Sequence, residues 1–434
     1  MKFFRRSTQI GSESTLTTQK RNFRNVQIDA IGVGLASAAS PFLPVFLTRL
    51  GASNFQVGLL TSMPAFTGLF LALVIGSFLQ RRRNVVPWFS TARLLVISCY
   101  AMTGIAPFLV PRGLAVQTVL LIWAVATLPQ TIVAVCFSVV MNAVAGPEGR
   151  YDLMSRRWSI LGLTTSITVA VVGKVLDTIN FPINYQIVFM GLSVGGLISF
   201  YFSSHIALKD VEPPVRVKGE SFKGRLRSYN KLIRSQPAFV SFATRRFVYL
   251  TGSALAAPLF PLYFVRVIQA SDYWIGLINT AQSAVLLVAY FFWVRQSRRR
   301  GSRFVLLATT LFLSLYPALT AVTHQVQWIV VYAGIAGIFQ AGLDLVFFDE
   351  LMKTVPAEYG ATFVSLAQSL QYFSALAAPL VGTWLADRIG ISGGLIISAS
   401  VRLLGFIMFT LAKRAPVTTP LSPSSSNSSP DHSA

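Results

Sequence analysis

The chain repeats itself at half its own length. Pro41 to Leu60 reads P-F-L-P-V-F-L-T-R-L-G-A-S-N-F-Q-V-G-L-L, and Pro258 to Ile278 reads P-L-F-P-L-Y-F-V-R-V-I-Q-A-S-D-Y-W-I-G-L-I. Pro41, Pro44 and Arg49 match Pro258, Pro261 and Arg266 at an offset of 217. One inserted residue later, Ala52, Ser53, Gly58 and Leu59 match Ala270, Ser271, Gly276 and Leu277 at 218. The triplet Arg81-Arg82-Arg83 returns as Arg298-Arg299-Arg300, again at 217. The chain has 434 residues. A period this long marks a duplicated domain and not a stacked solenoid, so the fold must be built from two alike halves.

The solvent for those halves follows from the charge. Charged residues make up 12% of the chain and hydrophobic ones 53%. A soluble domain carries about 25% charge, so half the usual charge is missing, and what remains falls between long apolar runs. Twelve such runs are long enough to span a bilayer: Val26–Leu50, Gln56–Gln80, Val86–Val110, Leu114–Val140, Trp158–Leu176, Tyr185–Leu208, Phe239–Val265, Tyr273–Val294, Phe304–Val322, Val326–Leu351, Ala361–Ala386 and Ser392–Leu411. An open strand cannot satisfy its backbone in lipid, so all twelve are predicted as helices. The expected product is an all-α integral membrane protein of two pseudo-symmetric six-helix bundles.

The expected organisation is an N-terminal segment at 1–24, a bundle at 25–208, a basic linker at 209–236, a second bundle at 237–414 and a disordered Ser/Pro-rich tail at 415–434. Met1 to Arg24 is polar and basic, with no apolar core of a signal peptide. With the N-terminus in the cytoplasm, 30 of the 37 lysines and arginines fall on that side. The positive-inside rule then puts both termini there. The seven left over are Arg49, Arg93, Arg112, Lys174, Arg266, Arg388 and Arg402. The net charge of +22 is that of basic loops between spans, not of a nucleic-acid-binding domain.

Twelve spans, two repeated halves and basic loops after spans two and eight resemble the major facilitator superfamily over about residues 20–414. The loop after span two is its most specific local piece. The family pattern is close to G-x-x-x-D-R-x-G-R-R; this chain has Gly76, then Gln80-Arg81-Arg82-Arg83. The glycine and basic cluster match, while Gln80 stands where the family has an acid. In the family this loop latches one bundle to the other in the outward-facing state. The stretch from Met141 to Asp177 also has a counterpart from Met352 to Asp387, pairing Glu148 with Glu358 and Asp177 with Asp387. The resemblance is to a broad bacterial group, which implies the inner membrane. It implies a secondary transporter of a small organic solute, linked to protons, working by alternating access. The drug-antiporter signature G-x-x-x-G-P-x-x-G-G is missing from span five. Drug or metabolite efflux therefore stands as an alternative, as does a non-transporting carrier, receptor or assembly factor.

The resemblance places spans one, four, seven and ten around a central cavity with a site near the bilayer midplane. Polar side chains inside the membrane are the candidates. Gln130 and Gln340 sit about halfway along spans four and ten at equivalent positions. They are candidates for binding solute from both halves; the alternative is that each amide holds neighbouring helices together. Asp344 lies one helical turn beyond Gln340, about 6 Å along the same face. It is a candidate for solute or proton, with Arg93 of span three as its expected partner. Asp29 in span one and Arg246 in span seven occupy matched places and are candidates for a contact across the pseudo-twofold. Asp349 and Glu350 are gate candidates. The two P-x-x-P pairs free backbone carbonyls and permit matched kinks near the outer ends of spans one and seven.

Other chemistry finds no residues. No G-x-x-x-x-G-K-[ST] loop for nucleotide phosphates is present. The histidines, His205, His324 and His432, are scattered, and Cys99 and Cys136 lie in apolar runs with no metal-ligand spacing. No cofactor or metal is expected, and no enzyme activity. The expected partners are the solute, H+ and the lipid bilayer, with the chain a monomer and no nucleic acid.

Overall fold

The computed structural model describes residues 2–79, 82–208, 236–354 and 360–411. Its helices are α1 (Lys2–Ser37), α2 (Phe42–Arg49), α3 (Asn54–Leu79), α4 (Val86–Leu109), α5 (Ala115–Thr178), α6 (Ile183–Ser204), α7 (Pro237–Ala256), α8 (Leu259–Leu262), α9 (Asp272–Arg300), α10 (Ser302–Val322), α11 (Val326–Thr354) and α12 (Gly360–Thr410). No strand occurs among the described residues. The linker at 209–235 and the tail from 412 lie outside them.

The helices and the twelve spans do not correspond one to one, for local reasons. Span one is α1 and α2 together, and span seven is α7 and α8. Each breaks just before the first proline of its P-x-x-P pair: α1 stops at Ser37 ahead of Pro41, and α7 at Ala256 ahead of Pro258. Proline has no backbone N–H to continue the ladder. Spans four and five run on as the single helix α5, whose legs Ala115–Ala145 and Arg156–Thr178 each suffice to cross a membrane. Spans eleven and twelve share α12, which turns at Gly390 with φ 84°, a conformation open to glycine and strained for other residues. Among the described residues nine helical stretches are long and apolar enough to cross. The bent pair within α9, the helix α3 and the second leg of α12 complete the twelve.

The inserted residue of the second repeat has a structural form. In the first copy, the Ala52 N–H donates to the Leu47 carbonyl at 3.1 Å, closing the end of α2. In the second, the equivalent bond runs from Ala270 to Phe264 at 2.9 Å and spans one residue more. The extra residue is taken up by a π-helical turn at Tyr263–Val267, the usual form of a single insertion in a helix. The turn keeps Arg266 in register with Arg49.

The two halves meet where α9 packs on α5 and α12 packs on α3. Both contacts need a glycine of the repeat. A Cβ on Gly276 would lie 3.0 Å from the Gly173 Cα. A Cβ on Gly58 would lie 2.7 Å from Thr383 Oγ1. Small residues let membrane helices approach this closely. Gly276→Leu is expected to wedge α9 off α5 and cost about 1–3 kcal/mol by overpacking. The readout is a lowered Tm in detergent, and an unchanged Tm would mean that the contact is loose.

Candidate functional site

The two copies of the repeat grip each other. Arg49, at the end of α2, donates to Asp272 Oδ1 from Nε at 3.0 Å and from Nη2 at 2.8 Å. Its Nη2 also donates to the Ala270 carbonyl at 3.0 Å. Arg266 returns the same grip: Nη1 donates to Asn54 Oδ1 at 2.6 Å, and Nη2 donates to the Ala52 carbonyl. Ala52 and Ala270 are equivalent positions in the repeat, and so are Asn54 and Asp272. Each arginine therefore holds the backbone and side chain at one and the same turn of the other half.

Matched groups extend the clasp. Tyr185 OH, at the start of α6, donates to Asp272 Oδ1 at 2.6 Å. Asn54 Nδ2 donates to Asp387 Oδ1 at 2.6 Å, and Asp177 Oδ1 accepts from the Tyr273 backbone N–H at 3.2 Å. Asp177 and Asp387 are the pair matched between the halves in the sequence. The Asp272 side chain is 6% exposed against 28% for Arg49, so the ion pair is half-shielded and its hydrogen bonds are charge-assisted. The cluster closes the bundle at the end away from residues 17 and 410.

A cavity of about 250 Å³ lies below the clasp, between the two kinked helices. Pro41 and Pro44 form one side, Phe260 and Pro261 the other, with Asn279, Gln282 and Tyr316 among the remaining groups. None of its lining residues is charged. Asn279 Nδ2 is spent on the Ile275 carbonyl at 2.8 Å.

The candidate charges sort by half. Arg93 pairs with Asp29, not with Asp344. Its Nη1 donates to Asp29 Oδ1 and to Ser199 Oγ, and Ser199 Oγ donates to Asp29 Oδ1 at 2.7 Å. Arg157 Nη2 lies 3.7 Å from Asp29 Oδ2. Asp29 is wholly enclosed. Its partners come from α4, α5 and α6 of its own half, so the contact expected with Arg246 does not form. Arg246 instead donates to Gln371 Oε1 at 2.8 Å within the second half. The reason is plain in lipid: a span charge takes the nearest neutralising or hydrogen-bonding group, and that group is inside each bundle.

Asp344 accepts from Gln340 Nε2 at 2.8 Å and from Tyr290 OH at 3.2 Å. Its partners are neutral, and no cation pairs with it among the described residues. Gln130 is half-buried on α5, far along the chain from either group, and makes no side-chain hydrogen bond among the described residues. Asp349 and Glu350 both pair with Lys353, at 2.6 and 3.1 Å, and Glu350 accepts from Ser302 at 2.6 Å. Of the loop after span two, Gly76 lies in α3 and Arg82 sits over the rings of Phe78 and Trp88 at 4.4 and 5.2 Å. Arg83 is exposed, while Gln80 and Arg81 fall outside the described residues.

Sequence reasoning matched Arg49 with Arg266 and Asp177 with Asp387, yet it missed that each of them reaches the other half, and it passed over their partners Asn54 and Asp272. The signal was present. Arg49 and Arg266 are two of the seven basic residues on the wrong side of the charge bias, and both stand in the repeat.

Two helical bundles related by an internal repeat and joined around a central axis define a polytopic membrane protein of the two-bundle class. The sequence model of the Major Facilitator Superfamily matches residues 245–432. That match falls in the second half of the chain. Two curated relatives are each named multidrug resistance protein MdtG. One, from Serratia proteamaculans, is 27% identical over 170 residues, covering 38% of this chain and 41% of its own. The other, from a Rahnella species, is 28% identical over 169 residues, covering 37% and 40%. The chain thus spans about two fifths of the length of the curated relatives it matches. Among solved structures, the nucleoside transporter NupG aligns with a TM-score of 0.69 at 12% identity, over 90% of this chain and 99% of that one. A peptide transporter POT in complex with sulfate gives 0.64 at 13%, over 89% and 93%. The human organic anion transporter MFSD10 gives 0.57 at 14%, over 90% and 99%. At these identities the likeness is one of fold.

Proposed function

We propose that this protein is a secondary transporter that moves a small organic solute across the bacterial inner membrane by alternating access, coupled to protons. The observation that carries the reading is the reciprocal clasp. It joins two halves whose buried charges outside the clasp find their partners within the same half. Such an interface can part without unravelling either bundle, as rocking around a central site requires. A scaffold has no use for matched, releasable charged contacts, which among the described residues lie at one end. The Lys/Arg bias puts the termini in the cytoplasm, so the clasp faces outward and this state is closed to the outside.

The cavity chemistry supports a class of solute. Its wall is aliphatic, proline and aromatic, with amide and hydroxyl groups and no charge. That surface favours an uncharged, mainly apolar solute with one hydrogen-bonding edge. The multidrug resistance names of the partial relatives agree with a lipophilic cargo and with efflux. Gln130 offers a free amide along the path. Asp344, within a span and without a cation among the described residues, is the group assigned to the coupling proton. Asp29 and Arg93 are committed to one another and brace the first half.

The test begins with thermal unfolding of the purified protein against neutral aromatic and amphipathic solutes, with sugars, amines and organic acids alongside. A solute at about a hundredfold over its Kd stabilises the folded state by about 2.7 kcal/mol. Stabilisation by neutral apolar solutes is expected, and stabilisation by sugars or organic acids alone would overturn the solute class. With that solute in vesicles, Asp344→Asn is expected to abolish proton-driven flux while leaving insertion and Tm unchanged. Flux at the unmutated rate would remove Asp344 from the coupling.

A further inference from the structure

The arginine triplet at the end of each half away from the clasp is handled differently in the two copies. In the first, Arg82 lies over the rings of Phe78 and Trp88 at 4.4 and 5.2 Å. At the offset of 217 its equivalent is Arg299, and the equivalent of Phe78 is Arg295. The ring that covers the first arginine is thus replaced by a further cation. Arg295, Arg298 and Arg299 stand at i, i+3 and i+4 on one face of α9, where like charges repel. All three are exposed, and none forms an ion pair among the described residues. Their neighbours are engaged: Arg300 lies over the Phe304 ring at 4.8 Å, and Arg303 Nη2 donates to the Thr410 carbonyl at 3.2 Å. The acids at this end of α11, Asp349 and Glu350, both pair with Lys353.

The stripe continues into the membrane as apolar surface. Val288, Phe291 and Phe292 precede the arginines at the same helical spacing and are exposed, Phe291 by 82%. Arg295 follows Phe291 by four residues, about 6 Å of helix. The bundle lies on the other side of α9: Ala289 and Trp293 are buried, and Trp293 Nε1 donates to the Ile338 carbonyl of α11 at 2.7 Å. The stripe therefore faces away from its own bundle and passes from apolar to cationic within one or two turns. A free anion would meet the arginines alone. A phospholipid meets both parts, with its phosphate on the guanidinium forks and an acyl chain along the phenylalanines.

We propose that this stripe of α9 is a binding site for an anionic phospholipid, its headgroup phosphate held by Arg295, Arg298 and Arg299. The Lys/Arg bias makes the leaflet that supplies it the cytoplasmic one. An anionic headgroup cancels the repulsion among the three arginines. A zwitterionic headgroup brings its own cation and leaves that repulsion in place. In the first half Arg82 is already covered by rings, so the site is assigned to the second half alone. The inference goes beyond the transporter reading and does not depend on it.

The test titrates the purified full chain in detergent micelles with phosphatidylglycerol or phosphatidylcholine. Native mass spectrometry counts the lipids retained, and thermal unfolding reads their effect. One tightly held phosphatidylglycerol and a raised Tm are expected, with neither from phosphatidylcholine. Each cation at an anionic membrane surface contributes about fivefold in affinity. Arg295→Phe, which copies the first repeat, is therefore expected to weaken phosphatidylglycerol binding about fivefold. Arg295→Gln, Arg298→Gln and Arg299→Gln together are expected to weaken it about a hundredfold. Without lipid the triple variant should unfold no lower than the unmutated chain, since the repulsion is gone. A lower Tm would mean that the protein itself holds these arginines, and would overturn the assignment. Lys20→Gln, Arg21→Gln and Arg24→Gln remove the same charge from exposed positions on α1 at the same end, and should leave the lipid bound. Three further results would overturn the site: equal retention of phosphatidylcholine, equal loss in the α1 variant, which marks a diffuse field, or displacement of the lipid by excess inorganic phosphate, which marks a free-anion site.

Discussion

Arg49→Ala is expected to open the clasped end of the molecule. The substitution leaves the Asp272 carboxylate shielded from water with only Tyr185 to satisfy it. Removing one partner of a shielded ion pair costs about 3–5 kcal/mol. Here the cost falls on the closed state alone, because in the open state Asp272 is hydrated. The closed-to-open ratio is expected to fall by more than about a hundredfold, read as a longer distance between labels on Gly113→Cys and Gln325→Cys. Adding Asp272→Asn to Arg49→Ala is expected to recover part of the loss, since an unpaired amide is cheaper to bury than an unpaired carboxylate. An Arg49→Ala protein with an unchanged distance distribution would mean that the grip contributes nothing to closure.

The second large effect is on folding, not gating. Asp29→Ala strands Arg93 and Arg157, both nearly fully buried, with no anion among the described residues to pair with. The expected loss is again about 3–5 kcal/mol, now borne by the first half as a whole. It should appear as a steep fall in Tm and in the yield of folded protein. Asp29→Asn, which keeps the hydrogen bonds to Arg93 and Ser199 but not the charge, is expected to fall between. A normal Tm for Asp29→Ala combined with lost transport would reverse the assignment and make Asp29 a working group of the cycle. The contrast with Asp344, whose partners are neutral and whose loss should leave Tm alone, separates a bracing charge from a mobile one.

Much of the fold was legible because membrane helices announce themselves. Length, apolar content and the placement of arginine are set by the bilayer, so the spans and the repeat could be read without a structure. The breaks were legible in part: the P-x-x-P pairs marked where spans one and seven bend. The inserted residue could be counted in the sequence, while its storage as a π-helical turn depends on which carbonyl Ala270 reaches. Partners were the least legible. Arg93 and Asp344 are both lone charges in spans, and nothing in the sequence ranks Asp29 above Asp344 as the neighbour of Arg93. That choice is made by packing α4 against α1 and α6 within one bundle. The clasp was hidden for the opposite reason. Its residues lie at span ends, where charge is cheap and draws no notice, and only the fold brings Arg49 over Asp272 and Arg266 over Asn54.

The central claim is that the repeated stretches form the outer gate of an alternating-access cycle. The most direct measurement joins Asn54→Cys to Asp387→Cys with a short reducible cross-linker, across a contact of 2.6 Å in the closed state. The reaction of Asn279→Cys, in the cavity wall, is then followed with membrane-impermeant thiol reagents added from either face. With the cross-link in place, the account predicts modification from the cytoplasmic face alone, and after reduction from both. Modification from outside through an intact cross-link, or none from outside after reduction, would contradict it.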